Sequence, residues 1–343
     1  MRRRISLLSI FGAAFAASFI SCGEDTTTAP TPALGSWTVY APPYEGAWTH
    51  CDVQKDGTLW ATVVLVDSGR AAIVRHKDGR WAKDEFEPAI TETLNDILMF
   101  DDGRGWACGR GGALLERRDG EWHLTRLYDD LEYIHLAGVD PSHVWVTAIS
   151  RPYGVPAIFF YDGTDWREAA KPGDYTSYGP IYMTGPETGL MVARRSVGDE
   201  VLRLRGSSWQ RALTFDDRLH FYDITGAASA SYAVGERRLG PERLGRVYQL
   251  TPEIKDITPE ILTPEEYYYR ACYADDRGGL WVTAAPYGQQ DRNYKLIYWD
   301  GERWYEANVA NDTGAVARFF GVDFAGEAGW AVGGTTYARY RRP

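Results

Sequence analysis

Leu59-Trp60-Ala61-Thr62-Val63, followed by Asp78-Gly79-Arg80-Trp81, is a couplet that returns along the whole chain. The first half recurs as Gly105-Trp106-Ala107-Cys108-Gly109, Val144-Trp145-Val146-Thr147, Leu280-Trp281-Val282-Thr283 and Gly329-Trp330-Ala331-Val332-Gly333. Degenerate copies stand at Leu190-Met191-Val192-Ala193 and Ser231-Tyr232-Ala233-Val234-Gly235. The second half recurs as Asp119-Gly120-Glu121-Trp122, Asp162-Gly163-Thr164-Asp165-Trp166, Gly206-Ser207-Ser208-Trp209 and Asp300-Gly301-Glu302-Arg303-Trp304, with a degenerate copy near Ile257. Alternating apolar residues around each Trp describe short strands, and Asp-Gly supplies the positive φ of a tight hairpin turn.

Trp81, Trp122, Trp166 and Trp209 are spaced by 41, 44 and 43 residues. A period of that length with several strands in it predicts an all-β, seven-bladed β-propeller, one four-stranded blade per repeat. First halves centred on residues 60, 106, 145, 191, 232, 281 and 330 give the seven blades. The last copy ends at Tyr340-Arg341-Arg342-Pro343 without a second half, whereas Leu34-Gly35-Ser36-Trp37-Thr38-Val39-Tyr40 is a second half with no first half before it. The N-terminal strand is therefore expected to complete the last blade and close the ring, leaving no free sheet edge. The tryptophans are expected between blades as core.

Ahead of the ring, Arg2, Arg3 and Arg4 precede an apolar stretch from Ile5 to Ile20, then Ser21 and Cys22. Residues 1–21 read as an export signal, too short to be a stable spanning helix. Phe19-Ile20-Ser21-Cys22 resembles the bacterial lipobox, with Phe19 where leucine is usual. That resemblance implies a lipid on Cys22, and Gly23 after it resembles outer-membrane sorting; the residues around Arg3-Arg4 fit a twin-arginine signal poorly, so general secretion is expected. Residues 22–33 form a Thr/Pro-rich tether with no apolar periodicity, and residues 34–343 the propeller domain. Removal of the three arginines lowers the net charge from -10 to -13, which disfavours nucleic acid and anionic lipid surfaces as partners. The chain is read as a monomer attached to a membrane only through its lipid. Cys51, Cys108 and Cys272 allow at most one disulfide and show no C-x-x-C spacing, so buried free thiols are expected.

The W-x-V-G and D-G-x-W motifs resemble the propeller repeats of bacterial extracellular lipoproteins and sensor ectodomains, over residues 35–343. The likeness implies a fold and no activity. Asp276 to Thr283 also resembles the streptogramin-lyase repeat, whose enzymes use His, Glu and a divalent metal. His50 and His135 stand at equivalent places on innermost strands, with His220 near the same level, so three histidines on alternate blades are candidates to face one channel mouth. No H-x-x-x-H or H-x-x-E arrangement exists, and no metal or other cofactor is assigned. The sialidase Asp-box is suggested by Asp56-Gly57, but its arginine triad and Tyr-Glu pair are not identifiable.

A non-catalytic binding or scaffold propeller fits better than a metal-dependent lyase or hydrolase. One face gathers Tyr44, Trp48, Tyr128, Tyr133, Tyr175, Tyr178 and Tyr267-Tyr268-Tyr269 from one set of loops. The other set brings Arg151, Tyr153, Arg194, Arg195, Arg237, Arg238, Tyr287, Gln289, Gln290 and Arg292. Tyrosine and arginine anchor interfaces, so a basic, aromatic face for a protein or glycan is expected, centred on Tyr175, Tyr178, Arg194, Arg237, Tyr267, Tyr268, Tyr287 and Arg292. Replacing Arg194, Arg237 and Tyr268 is expected to remove binding without altering the fold.

Overall fold

The computed structural model describes residues 34–343 apart from 85, 87, 88, 126, 127, 216, 217, 228, 289 and 290. The export signal, Cys22 and the tether lie outside the described residues, as do Gln289 and Gln290.

Seven sheets form the ring, six antiparallel sheets of four strands and one mixed sheet of five. The innermost strands, in blade order, are Gly46–Val53, Leu94–Met99, Leu131–Asp140, Ser177–Gly185, Leu219–Gly226, Tyr267–Ala274 and Gly321–Ala325. Within each blade the chain runs outward through three further strands. Loops leaving the outermost strand for the next blade therefore share a face, here the upper one, with loops between second and third strands.

The Asp-Gly turns divide into two kinds. Asp78-Gly79 and Asp119-Gly120 have φ of 50 and 75, and 54 and 85, so both residues are left-handed and the hairpin is of the primed type. In the longer Asp162 and Asp300 turns the carboxylate instead accepts from the main chain, at Thr164 N and Asp165 N (both 3.0 Å) and at Glu302 N and Arg303 N (both 2.8 Å).

Each second-strand Trp meets the outer-strand Trp of the next blade edge to face. The pairs are Trp60–Trp122 at 6.2 Å, Trp106–Trp166 at 5.0 Å, Trp145–Trp209 at 5.4 Å, Trp281–Trp37 at 5.5 Å and Trp330–Trp81 at 6.1 Å. Edge-to-face pairing is worth about 0.5–1.5 kcal/mol beyond the buried area, so the repeat is a chain of blade-to-blade rivets. Its weak point lies between blades 4 and 5. The pairing register puts Leu190, not Met191, opposite Arg203 where a Trp would stand, which shifts the expected centre of that repeat by one residue. Blade 5's outer strand is only Lys255–Asp256. Without either indole, a groove of about 510 Å³ opens there beside Tyr182, Leu190 and Arg203.

Ser36–Tyr40 completes the last blade: it pairs antiparallel with Thr336–Arg341, with Trp37 opposite Tyr340. It is not the edge, however. Asn308–Asn311, from the connection between blades 6 and 7, adds a fifth strand parallel to it and covers it. Across the seam Trp48 and Gly334 exchange backbone hydrogen bonds of 2.7 and 3.1 Å. Cys51, Cys108 and Cys272 are free and buried.

Candidate functional site: a carboxylate-lined channel beneath an ion-paired rim

The innermost strands are bulged, and a bulge re-aims a side chain. Register breaks between Trp48 and Cys51, Leu94 and Asp96, Phe221 and Asp223, and Tyr269 and Arg270's successor Ala271 free Thr49 and His50, Asn95, Tyr222 and Arg270 from strand pairing. These residues line a central channel of about 520 Å³, together with Asp52, Asp96, Asp223 and Asp323.

Each of the four aspartates clamps its own strand to the next blade. Asp52 accepts from Met99 N at 2.5 Å, Asp96 from Leu136 N at 2.8 Å, Asp223 from Cys272 N at 2.8 Å and Asp323 from Val53 N at 2.6 Å. Blade 4 does the same from its third strand, where Asp199 accepts from Phe221 N at 2.8 Å. The channel acids are thus first of all satisfied structural groups.

Their charges are also balanced locally. His50 Nδ1 lies 2.8 Å from Asp96 Oδ1, and His135 Nδ1 lies 3.8 Å from Asp96 Oδ2. Burial alone would lower the His50 pKa, but the Asp96 carboxylate outweighs it and the imidazole is pushed up to about 9. Burial likewise works against the Asp96 charge, and the two histidines still hold that carboxyl well below the usual range. Burial pushes Asp52 up to about 6, and burial with the Asp52 charge drives Asp323 higher. The two carboxyls are hydrogen-bonded to each other, and the charge on Asp52 disfavours a second charge on Asp323. Burial raises Asp223.

His220 does not join His50 and His135. It sits apart among Arg194, Asp199, Arg238 and Glu236, where burial and then Arg194 lower its pKa. The expected convergence of three histidines on one mouth is therefore corrected to a His50–Asp96–His135 cluster. In blade 5 the bulge at Tyr222 comes after His220, which pairs with Glu236 near the start of its strand, whereas His50 lies in its bulge and His135 directly follows one, so His220 stands at another level. Among the described residues no group of three or more His, Cys, Asp or Glu side chains is arranged to hold a metal ion.

The upper rim also differs from the expected basic, aromatic face. Trp48, Tyr133, Tyr175, Tyr178, Tyr267 and Tyr269 are buried and pack the blades. Tyr175 donates to Glu200 at 2.7 Å, and Arg195 and Arg211 approach the same carboxylate at 3.5 and 3.0 Å. Arg194 grips Asp199 with two hydrogen bonds of 3.0 and 3.2 Å. Glu236 collects Tyr222 at 2.7 Å, Tyr287 at 2.8 Å and Arg238 at 2.5 Å. Glu132 takes Arg110 at 3.1 Å and Arg151 at 2.6 Å. Arg237 is half-buried, and Arg292 lies 3.8 Å from Glu266 with both side chains open to solvent. Since Arg194 holds the carboxylate that clamps blade 5, its replacement is expected to disturb the fold, contrary to the sequence expectation.

Beside these charged groups the rim also exposes apolar side chains. Of eight exposed large hydrophobic side chains among the described residues, Val66, Tyr128, Tyr153, Val155, Val197 and Ile261 lie in upper loops; Val139 and Ile254 are on the other side. Tyr128 and Tyr153 belong to loops tied together by Arg151 N to Asp130 O at 3.0 Å and Ser150 Oγ to Asp130 Oδ2 at 3.3 Å.

No protein-family model matches the chain, and no curated sequence matches it. Similar solved structures exist. YCF48 bound to a D1 peptide is 14% identical over 90% of this chain and 100% of that one, with a TM-score of 0.60. YCF48 from Cyanidioschyzon merolae is 15% identical over 89% and 98%, with a TM-score of 0.59. The WD40 propeller domain of Doa1 is 7% identical over 90% and 97%, with a TM-score of 0.54. At such identities the likeness is one of architecture, and the chain is a seven-bladed β-propeller.

Proposed function

We propose that this chain is a non-catalytic binding propeller of the bacterial cell envelope, held at the outer membrane by a lipid on Cys22, which takes a polypeptide partner across its upper face. The observation that carries the reading is the concentration of exposed Tyr128, Tyr153, Val155 and Val197 in upper loops that hydrogen bonds already hold in place. Aliphatic tips such as Val155 and Val197 offer a sugar no hydrogen-bonding edge, so a protein is favoured over a glycan. YCF48, a propeller of similar architecture, has been observed with a peptide bound, which supports the same class of ligand here.

A photo-crosslinking residue at position 153 or 197 is expected to capture one defined protein in cells, while the same residue at 254, on the lower face, captures none. Equal capture from 254 would remove the assignment of the face. The anchor is tested separately. Cys22→Ser is expected to move the protein from the membrane fraction to the soluble fraction and to abolish incorporation of a palmitate analogue; unchanged fractionation would refute lipidation.

A further inference from the structure

Arg270 is the odd charge in the channel. The channel acids are already engaged: Asp96 by His50 and main chain, Asp52 and Asp323 by each other and by Val53 N and Met99 N, Asp223 by Cys272 N. Arg270, delivered into the same space by the bulge in blade 6, makes no ion pair among the described residues. Its Nε is buried without a hydrogen-bond partner. Its guanidinium carbon stands 4.9 Å over the Phe320 ring.

The walls around it are aromatic. Tyr294 lies 5.9 Å from Phe320 and is flanked electrostatically by both Arg270 and Arg318. Tyr268 hydrogen-bonds Tyr294 and lies 5.6 Å from Tyr222 and 5.2 Å from Tyr287. A guanidinium with an idle donor, held over an aromatic face in a partly desolvated cleft, is complementary to a planar anion that accepts two parallel hydrogen bonds. Leaving a buried donor unmade costs free energy that such a ligand would recover.

We infer that Arg270, walled by Phe320, Tyr268 and Tyr294, is a carboxylate-binding site at the upper end of the channel, and that it receives a carboxylate of the polypeptide partner, from a glutamate or aspartate side chain or from the free C-terminus. The inference rests on the reading of the upper face as a polypeptide-binding surface, and adds the chemistry that orients the ligand.

The test is calorimetric titration of the detergent-solubilised full chain with short N-acetylated Ala/Ser/Phe peptides. One ends in a free carboxylate, one in an amide, and one in an amide with glutamate at the penultimate position. Both carboxylate-bearing peptides, or whichever one matches the natural source, are expected to bind at least about tenfold more tightly than the neutral amide. Arg270→Gln is expected to erase that difference while leaving the neutral peptide unchanged, and Arg270→Lys to restore part of it. Thermal denaturation of Arg270→Gln and Arg270→Lys at the wild-type temperature controls for loss of folding. Carboxylate peptides that bind wild type no better than the amide, or equally well to Arg270→Gln, would overturn the inference. Crosslinking from positions 153 and 197 would still stand or fall independently, which separates this failure from failure of the upper-face reading.

Discussion

Deletion of residues 34–41 is expected to unfold the ring as a whole. The strand Ser36–Tyr40 is the penultimate strand of the five-stranded sheet, so its removal detaches Asn308–Asn311 as well and bares the edge of Thr336–Arg341. Trp37 is fully buried, with ring centroids 5.5 Å from Trp281, 5.4 Å from Phe324 and 5.4 Å from Tyr340. Trp37→Ala alone vacates the middle of that cluster and is expected to cost about 3–5 kcal/mol. That corresponds to a fall in Tm of roughly 5–8 °C for a domain of this size. Gly35 beside it is held to glycine by close approach, because a Cβ there would lie 2.0 Å from the Arg341 carbonyl oxygen. Thermal denaturation followed by tryptophan fluorescence reads both variants. A truncated chain that melts at the wild-type temperature would refute closure by the N-terminal strand, and restoration by a synthetic peptide of residues 34–41 would confirm it directly.

The tryptophan couplets made the ring legible because they repeat, and they repeat because every blade interface needs a similar large, flat filler. Trp37 could be assigned to the last blade on that ground, and its contact with Trp281 is the same rivet seen at Trp60–Trp122. Blade 4 was harder to place, since Leu190 and Met191 are both plausible fillers and only the register with Arg203 separates them. The channel was far less visible. Asp52 and Asp323 stand opposite the second-strand tryptophans Trp60 and Trp330, whereas Asp96 and Asp223 stand opposite Cys108 and Val234. One clamping role is thus met from two levels by bulged strands, which leaves no fixed spacing to find. The tyrosines misled for a different reason. A ring such as Tyr178 at the start of an innermost strand is buried by the neighbouring blade, and nothing local to its own sequence reports that neighbour.

Asp96→Asn is expected to weaken the ring in a pH-dependent way. Asp96 Oδ2 accepts from Leu136 N in blade 3 and Oδ1 from Ile97 N, while His50 sits at 2.8 Å; the side chain itself is buried. An asparagine keeps the volume but turns one acceptor into a donor facing these groups and leaves His50 without its counter-ion. With the Asp96 side chain buried and the His50 ring a third open to solvent, removing one partner of this charge-assisted hydrogen bond costs about 1.5–3 kcal/mol. The sign follows from the two pKa values. The Asp96 value is depressed in the folded state, so its contribution is present above the ordinary carboxylate range and is lost as pH falls below it. The His50 value is raised to about 9, so its contribution is full below the ordinary histidine value and fades as pH climbs through 9. The gap in Tm between wild type and Asp96→Asn should therefore be widest between about pH 4.5 and 6.5 and shrink toward both extremes. Asp52, pushed up to about 6 by burial, also feels this pair, since His50 lowers and Asp96 raises its pKa, so its titration belongs to the same profile. His50→Gln removes the ionic tie but spares the hydrogen bonds from Leu136 N and Ile97 N, so its profile should show both flanks at smaller amplitude, with His135 and the main chain still holding Asp96 down. A gap in Tm that stays constant from acid to alkaline pH would show that Asp96 acts as a hydrogen-bond acceptor only, with no ionic tie to His50.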